Sequence, residues 1–132
     1  MANLYTFRWH ALDSMGMLLE GATLVTSQDA LLNQLSERGI LPVSWQRGRC
    51  WRSRDWKWQQ KIDLVRQLAT LLKAGLPLSE SLTMLAEGHP HSGWRVLLNE
   101  LQQRVMAGET FSHALRAWPQ IFPPPYPALM EV

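Results

Sequence analysis

The only close pair among the four histidines of this 132-residue chain is His89-Pro90-His91. Two imidazoles can begin a metal site, but such a site is ordinarily completed by a third or fourth ligand. The remaining histidines, His10 and His113, are distant in sequence, so the pair reads as an exposed loop between helices. Cys50 stands among Arg49, Arg52 and Arg54, a setting that favours a thiolate. No spacing brings a histidine to it, and it reads as an incidental cysteine. Glu80 and Glu87 fall two helical turns apart and read as solvated surface charges. There is no GxxxxGK[ST] loop, no GxGxxG after a strand and no HExxH, the patterns that bring phosphates, dinucleotides or zinc to a backbone. No catalytic, cofactor-binding or metal-binding residue is predicted, and no cofactor.

The segment from Trp45 to Trp58 has more to offer. It interleaves Trp45, Trp51, Trp56 and Trp58 with Arg47, Arg49, Arg52, Arg54 and Lys57. Counted on to Lys61 and against Asp55 alone, it holds a local excess of five positive charges, although the whole chain carries only +2. Such a segment can stack bases and neutralise phosphates, or sit at a membrane interface where Trp prefers the headgroup level and Arg attracts anionic lipid. It can also fold its tryptophans back onto the protein. No RNP, helix-turn-helix or zinc-finger pattern supports nucleic acid, and none is expected as a partner.

The elements that must position these residues follow from periodicity. Apolar residues make up 46% of the chain and charged residues 18%, a globular balance. A single cysteine fits a reducing compartment. No apolar run is long enough to span a bilayer, and no secretory signal opens the chain; a cytoplasmic location is expected. Residues 4–11 alternate, with Tyr5, Phe7 and Trp9 on one side, which predicts a strand. Residues 17–25 predict a second strand, interrupted at Gly21. Thr26 or Ser27 caps a helix closed by Gly39, and residues 40–43 a short third strand, where Pro42 favours an edge. Residues 46–57 read as a linker. From residue 58 the pattern is helical. Leu64, Val65, Leu68, Leu71 and Leu72 mark one face of a helix over 58–74, stopped by Gly75 and Pro77. A second helix spans 78–87, with Ser79 and Ser81 on its exposed side. A third starts at a Ser92 cap and closes at Gly108, and a fourth starts at Thr110 and ends at Pro119. Pro127 can open a short fifth helix. Short connections between amphipathic helices predict antiparallel neighbours in a bundle.

The run LVRQLATLLKAGLPLSESLTMLAEG over 64–88, then GxxFSxAL over 108–115, then Pro119-x-x-Phe122-Pro123-Pro124-x-Tyr126 resembles the F-domain of type II secretion and type IV pilus inner-membrane platform proteins, GspF- and PilC-like. The resemblance covers about residues 58–130. The front segment is similar to the small N-terminal extension of these proteins, and its WHALDSMG start resembles the enteric HofC-type members. The resemblance implies a mainly α fold, an antiparallel helical bundle (a truncated six-helix F-domain) preceded by a small α/β unit. The expected divisions are 1–45, the linker 46–57, and an F-domain over 58–132 that is incomplete at its C-terminus. It also implies a non-enzymatic scaffold at the cytoplasmic side of the bacterial inner membrane, touching the assembly ATPase and other platform subunits. Self-association is one way to cover a groove left by missing helices.

The residues matching the family pattern are Leu68, Leu72, Gly75, Pro77, Leu78, Leu82, Leu85, Gly108, Phe111, Leu115, Phe122 and Pro123. Their types explain them as helix stops, turn formers and core, with Leu68, Leu72, Leu82, Leu85, Leu101 and Phe111 expected inside. Candidate partner contacts, placed opposite the apolar stripes, are Arg66, Lys73, Arg95, Gln102 and Arg104. The rival readings are a nucleic-acid or membrane-surface module acting through the Trp/Arg segment, and a truncated fragment without function of its own.

Overall fold

In a computed structural model, which describes residues 3–123, the alternating front segment forms strand β1 (Leu4–Leu12). An Asx turn leads on from it: one carboxylate oxygen of Asp13 accepts from the N–H groups of Met15 and Met17, both at 2.9 Å. Strand β2 (Leu18–Val25) then returns antiparallel to β1. Helix α1 (Gln28–Glu37) begins at Ser27, whose hydroxyl accepts from the N–H of Ala30 at 3.2 Å. Strand β3 (Leu41–Trp51) pairs with the other side of β1, giving the order β2-β1-β3. Phe7, Trp9 and Ala11 of β1 meet Val25, Leu31, Leu35 and Ile40 in one buried cluster.

Strand β3 is far longer than the four residues expected at 40–43. Residues 46–51, expected as linker, are its second half, and Ser53–Asp55 form a 3-10 turn. An edge strand exposed on its outer side has little hydrophobic alternation to betray it. Two register shifts break what alternation remains, one between Tyr5 and Phe7 and one between His10 and Ala11. The two compact units of the chain divide between Arg52 and Ser53.

The second unit is helical. Helix α2 (Trp58–Lys73) ends where Gly75 takes φ +90°, so that the N–H of Leu76 reaches the carbonyl of Leu71 at 3.2 Å. This closure needs a residue free to adopt the left-handed region. Helix α3 (Leu78–Gly88) follows, then α4 (Ser92–Met106), closed in the same way by Gly108 at φ +101°. Helix α5 (Phe111–Leu115) has only five residues. Helix α3 packs on both α2 and α4, and α4 on α5. Leu68, Leu82, Trp94, Leu97, Leu98, Leu101, Leu115 and Ile121 form the interior.

The expected fold class is corrected by these elements. The described residues do not form a mainly α, truncated six-helix antiparallel bundle. They hold five α-helices and a three-stranded antiparallel sheet. The backbone of residues 46–51 bonds to β1, which enlarges the sheet. After Leu115 the chain leaves the helix through tight turns, the N–H groups of Ile121 and Phe122 both reaching the carbonyl of Trp118. The expected fifth helix after Pro127, with Tyr126, lies outside the described residues.

Smaller differences concern single side chains. Ser81 is fully buried rather than exposed, and its hydroxyl is satisfied by donating to the carbonyl of Pro77, the N-cap of α3, at 2.9 Å. Leu72, expected in the core, is 41% exposed, and Leu85 is half-buried. Helix α4 is capped by His91, not Ser92.

Helix α5 is too short to persist alone, so its cap matters. The Thr110 hydroxyl accepts from the N–H of His113 at 3.2 Å. Thr110→Ala is expected to lower stability by about 1 kcal/mol, read as a shift in the urea midpoint. A shift within a few tenths would mean that the buried Phe111 and Leu115 hold α5 without the cap.

Candidate interaction surface

Helix α2 carries two apolar stripes. Leu64 and Leu68 face inward and are buried. Beside them Trp58, Ile62, Val65, Ala69 and Leu72 recur at alternating steps of four and three, the seven-residue repeat of a helix that packs along another helix. This second stripe is open: Trp58 is 60% exposed, Val65 41% and Leu72 41%. Its first four residues form one wall of a groove of about 400 Å³, whose other side is Phe111 and Leu115 of α5 with Phe122 beyond it.

The groove is lined almost wholly by carbon. Its charged lining residues are Lys61 and Arg66, both basic. Burial lowers the pKa of Lys61 from the ordinary lysine value, because a charged ammonium loses hydration there. Such a surface can take apolar side chains along its floor and anionic groups at its rim. It holds no nucleophile beside a general base. Among the described residues no three His, Cys, Asp or Glu side chains gather where they could hold a metal ion.

The five candidate contacts do not share one setting. Arg66 is exposed at the groove, and Lys73 is exposed in the last turn of α2. Arg95 donates to the carbonyls of His89 and Pro90, at 2.8 and 3.1 Å, tying the start of α4 to the preceding loop. The amide of Gln102 donates to the sulfur of Met106 one turn on. Arg104 pairs with Glu109 at 3.3 Å and lies 5.3 Å over the Trp118 ring. Arg66 and Lys73 therefore face outward, while Arg95, Gln102 and Arg104 are engaged within the helical unit.

The Trp/Arg segment is largely turned to structural use. Trp51 and Trp56 are buried, the guanidinium of Arg49 lies 4.2 Å over the Trp51 ring, and that of Arg47 lies 5.2 Å over Tyr5. Trp45 and Trp58 stay exposed. Cys50 is a half-buried free thiol. The histidines of His89-Pro90-His91 are half-buried rather than exposed, with His89 stacked on Trp94 at 5.8 Å.

The open stripe on α2 escaped the sequence reading. Val65 and Leu72, expected on one face with the inward leucines, belong instead to the open stripe with Trp58, Ile62 and Ala69. The spacing 58/62/65/69/72 is the signal that separates them.

The family model described as type II secretion system (T2SS), protein F, matches residues 64–132. The chain is 38% identical over 131 residues to the protein transport protein HofC homolog of Escherichia coli, covering 99% of this chain and 32% of that protein. It is 36% identical over 67 residues to the type IV pilus assembly protein PilC of Pseudomonas aeruginosa, covering 51% and 18%. It is 29% identical over 132 residues to the type II secretion system protein F of the same organism, covering 92% and 33%. The chain thus spans a third or less of the length of these relatives. With the helix stops at Gly75 and Gly108 and the buried leucines between them, the match makes the chain a member of the type II secretion system protein F family.

Proposed function

We propose that this chain is a non-enzymatic scaffold module of an inner-membrane platform for type IV pilus assembly or type II protein secretion. It docks the assembly ATPase and other platform subunits from the cytoplasmic side. The observation that carries this reading is the exposed heptad stripe of α2 beside its basic rim, a surface suited to another protein rather than to a reaction. The relatives named for pilus assembly, protein transport and secretion support the same machinery. No described helix is long and apolar enough to cross a membrane, so in this reading the part described is the portion that meets partners.

Arg66 is the leading contact, with Lys73 further along α2. Reversing an exposed charge at a docking rim weakens association without unfolding the protein. Arg66→Glu is expected to weaken binding to the purified assembly ATPase about tenfold, close to 1.4 kcal/mol, in a calorimetric titration, with the thermal midpoint unchanged. Arg104→Glu is expected to act mainly on stability, through Glu109 and Trp118. If Arg66→Glu leaves ATPase binding unchanged, the docking reading fails.

A further inference from the structure

The His89-Pro90-His91 joint between α3 and α4 has no part in the docking surface. His91 precedes the first residue of α4, and its Nδ1 accepts from the N–H of Trp94 at 3.2 Å. His89 stands one step behind: its Nδ1 accepts from the N–H of His91 at 3.0 Å. An imidazole nitrogen accepts only while it carries a lone pair, so these two bonds require neutral rings with the proton on Nε2. The two bonds act in series, since His89 holds the backbone of the residue that caps α4.

The rings are packed as well as bonded. His89 stacks on Trp94, His91 lies 5.6 Å from Trp56, and Trp56 meets Trp94 edge-on at 5.2 Å. The Trp94 indole N–H donates to Gln60 of α2 at 2.9 Å. The joint is therefore tied to α2 through Trp94. Caps of Ser, Thr, Asp or Asn keep their acceptor oxygens through the neutral range. An imidazole cap loses its acceptor when it takes a proton near neutrality.

We infer that the α3–α4 joint is a proton-sensitive hinge, in which protonation of His89 and His91 at Nδ1 releases the amino end of α4 and loosens Trp94 from α2. The surrounding charges set its range. Arg95 of α4 bonds the carbonyls of His89 and Pro90, and the positive end of α4 points at the pair; both oppose a further positive charge. Asp63 of α2 lines the same cavity of about 330 Å³ as His89. Glu87 lies two residues before His89 on α3, and Asp55 precedes the Trp56 that packs on His91.

Burial, and after it Arg95, lowers the His89 pKa from 6.5. The closed joint thus binds a proton less readily than the open one. Well above pH 6.5 His89 is neutral in both forms and its contribution is fully present; as pH falls through 6.5 the open form takes the proton first and the joint weakens, until the lower closed-form pKa is passed.

The test is a titration of the ¹⁵N-labelled chain from pH 8 to 5, following the backbone and indole N–H of Trp94. Both signals are expected to shift together with one midpoint below 6.5. The ring nitrogens of His89 and His91 are expected to show the Nε2–H form at pH 8. His91→Asp supplies a carboxylate acceptor throughout this range, and the titration of the Trp94 backbone N–H is expected to shrink in it to what His89 alone contributes. Flat Trp94 signals in the unsubstituted chain, a proton on either Nδ1 at pH 8, or an unchanged titration in His91→Asp each overturn the hinge.

Discussion

Trp94→Ala is expected to cost the helical unit about 3–5 kcal/mol, the range for truncating a buried aromatic residue to alanine. That is a large part of the whole stability of a small domain, about 5–15 kcal/mol. Trp94 is fully buried. Its ring meets Trp56, His89 and Phe122, the last at 6.2 Å, so its removal opens a cavity against three separate segments. It also strips Gln60 of its indole donor. Trp94→Phe separates the two contributions: most of the packing stays and the hydrogen bond goes, for an expected loss nearer 1 kcal/mol from that bond plus the smaller ring. The measurement is urea unfolding followed by far-ultraviolet circular dichroism. A loss below about 1 kcal/mol for Trp94→Ala, well under the cavity range, would mean that Trp94 does not organise the helical unit.

The second large effect belongs to the sheet. Gly21→Val is expected to destabilise the α/β unit by about 1–3 kcal/mol or more, as overpacking of a filled core does. Gly21 sits directly across from Trp9 in the β1–β2 ladder. A Cβ at position 21 would come within 2.6 Å of one carbon of the Trp9 ring and 3.0 Å of another. The ring has little freedom to retreat, because its N–H donates to the Thr23 hydroxyl at 2.9 Å, buried, and the Arg38 guanidinium lies 5.7 Å over it. A glycine facing an aromatic residue across two strands lets the ring lie over the backbone. Thermal unfolding of Gly21→Val and of the double variant with Trp9→Leu tests this. The double variant is expected to lose less than the two single losses combined, since the smaller side chain frees the space. Simple additivity, or a neutral Gly21→Val, would show that the close approach is not real.

Gly21 also shows how far a sequence carries. It was legible as an interruption in a strand, but only the facing Trp9 explains why glycine stands there. Much of the local architecture was legible for similar reasons. Alternation of Tyr5, Phe7 and Trp9 marks β1, Thr26 or Ser27 marks the start of α1, and Thr110 that of α5. The pairing of Gly75 with Pro77 marks the end of α2. Each is decided within a few residues by steric limits and local hydrogen bonds, so a linear reading finds it.

What was not legible depends on partners distant in the chain. The second half of β3 forms because β1 supplies hydrogen bonds across some forty residues, as in Tyr5 facing Cys50. The capping of α4 by His91 needed the ring to sit against Trp56. Exposed Val65 and Leu72 on a helix whose Leu68 is buried cannot be told apart by hydrophobicity, since all three lie on apolar positions of the same segment. By itself, then, the sequence determined the family, the starts of β1, α1 and α5, and the glycine stops, because these rest on short-range geometry and on ordered motifs. Only the tertiary structure decided the extent of the sheet, which stripe of α2 remains open, and which cations stay free to meet a partner. Burial and pairing are properties of the neighbour across the core, and that neighbour is chosen by the fold rather than by position along the chain.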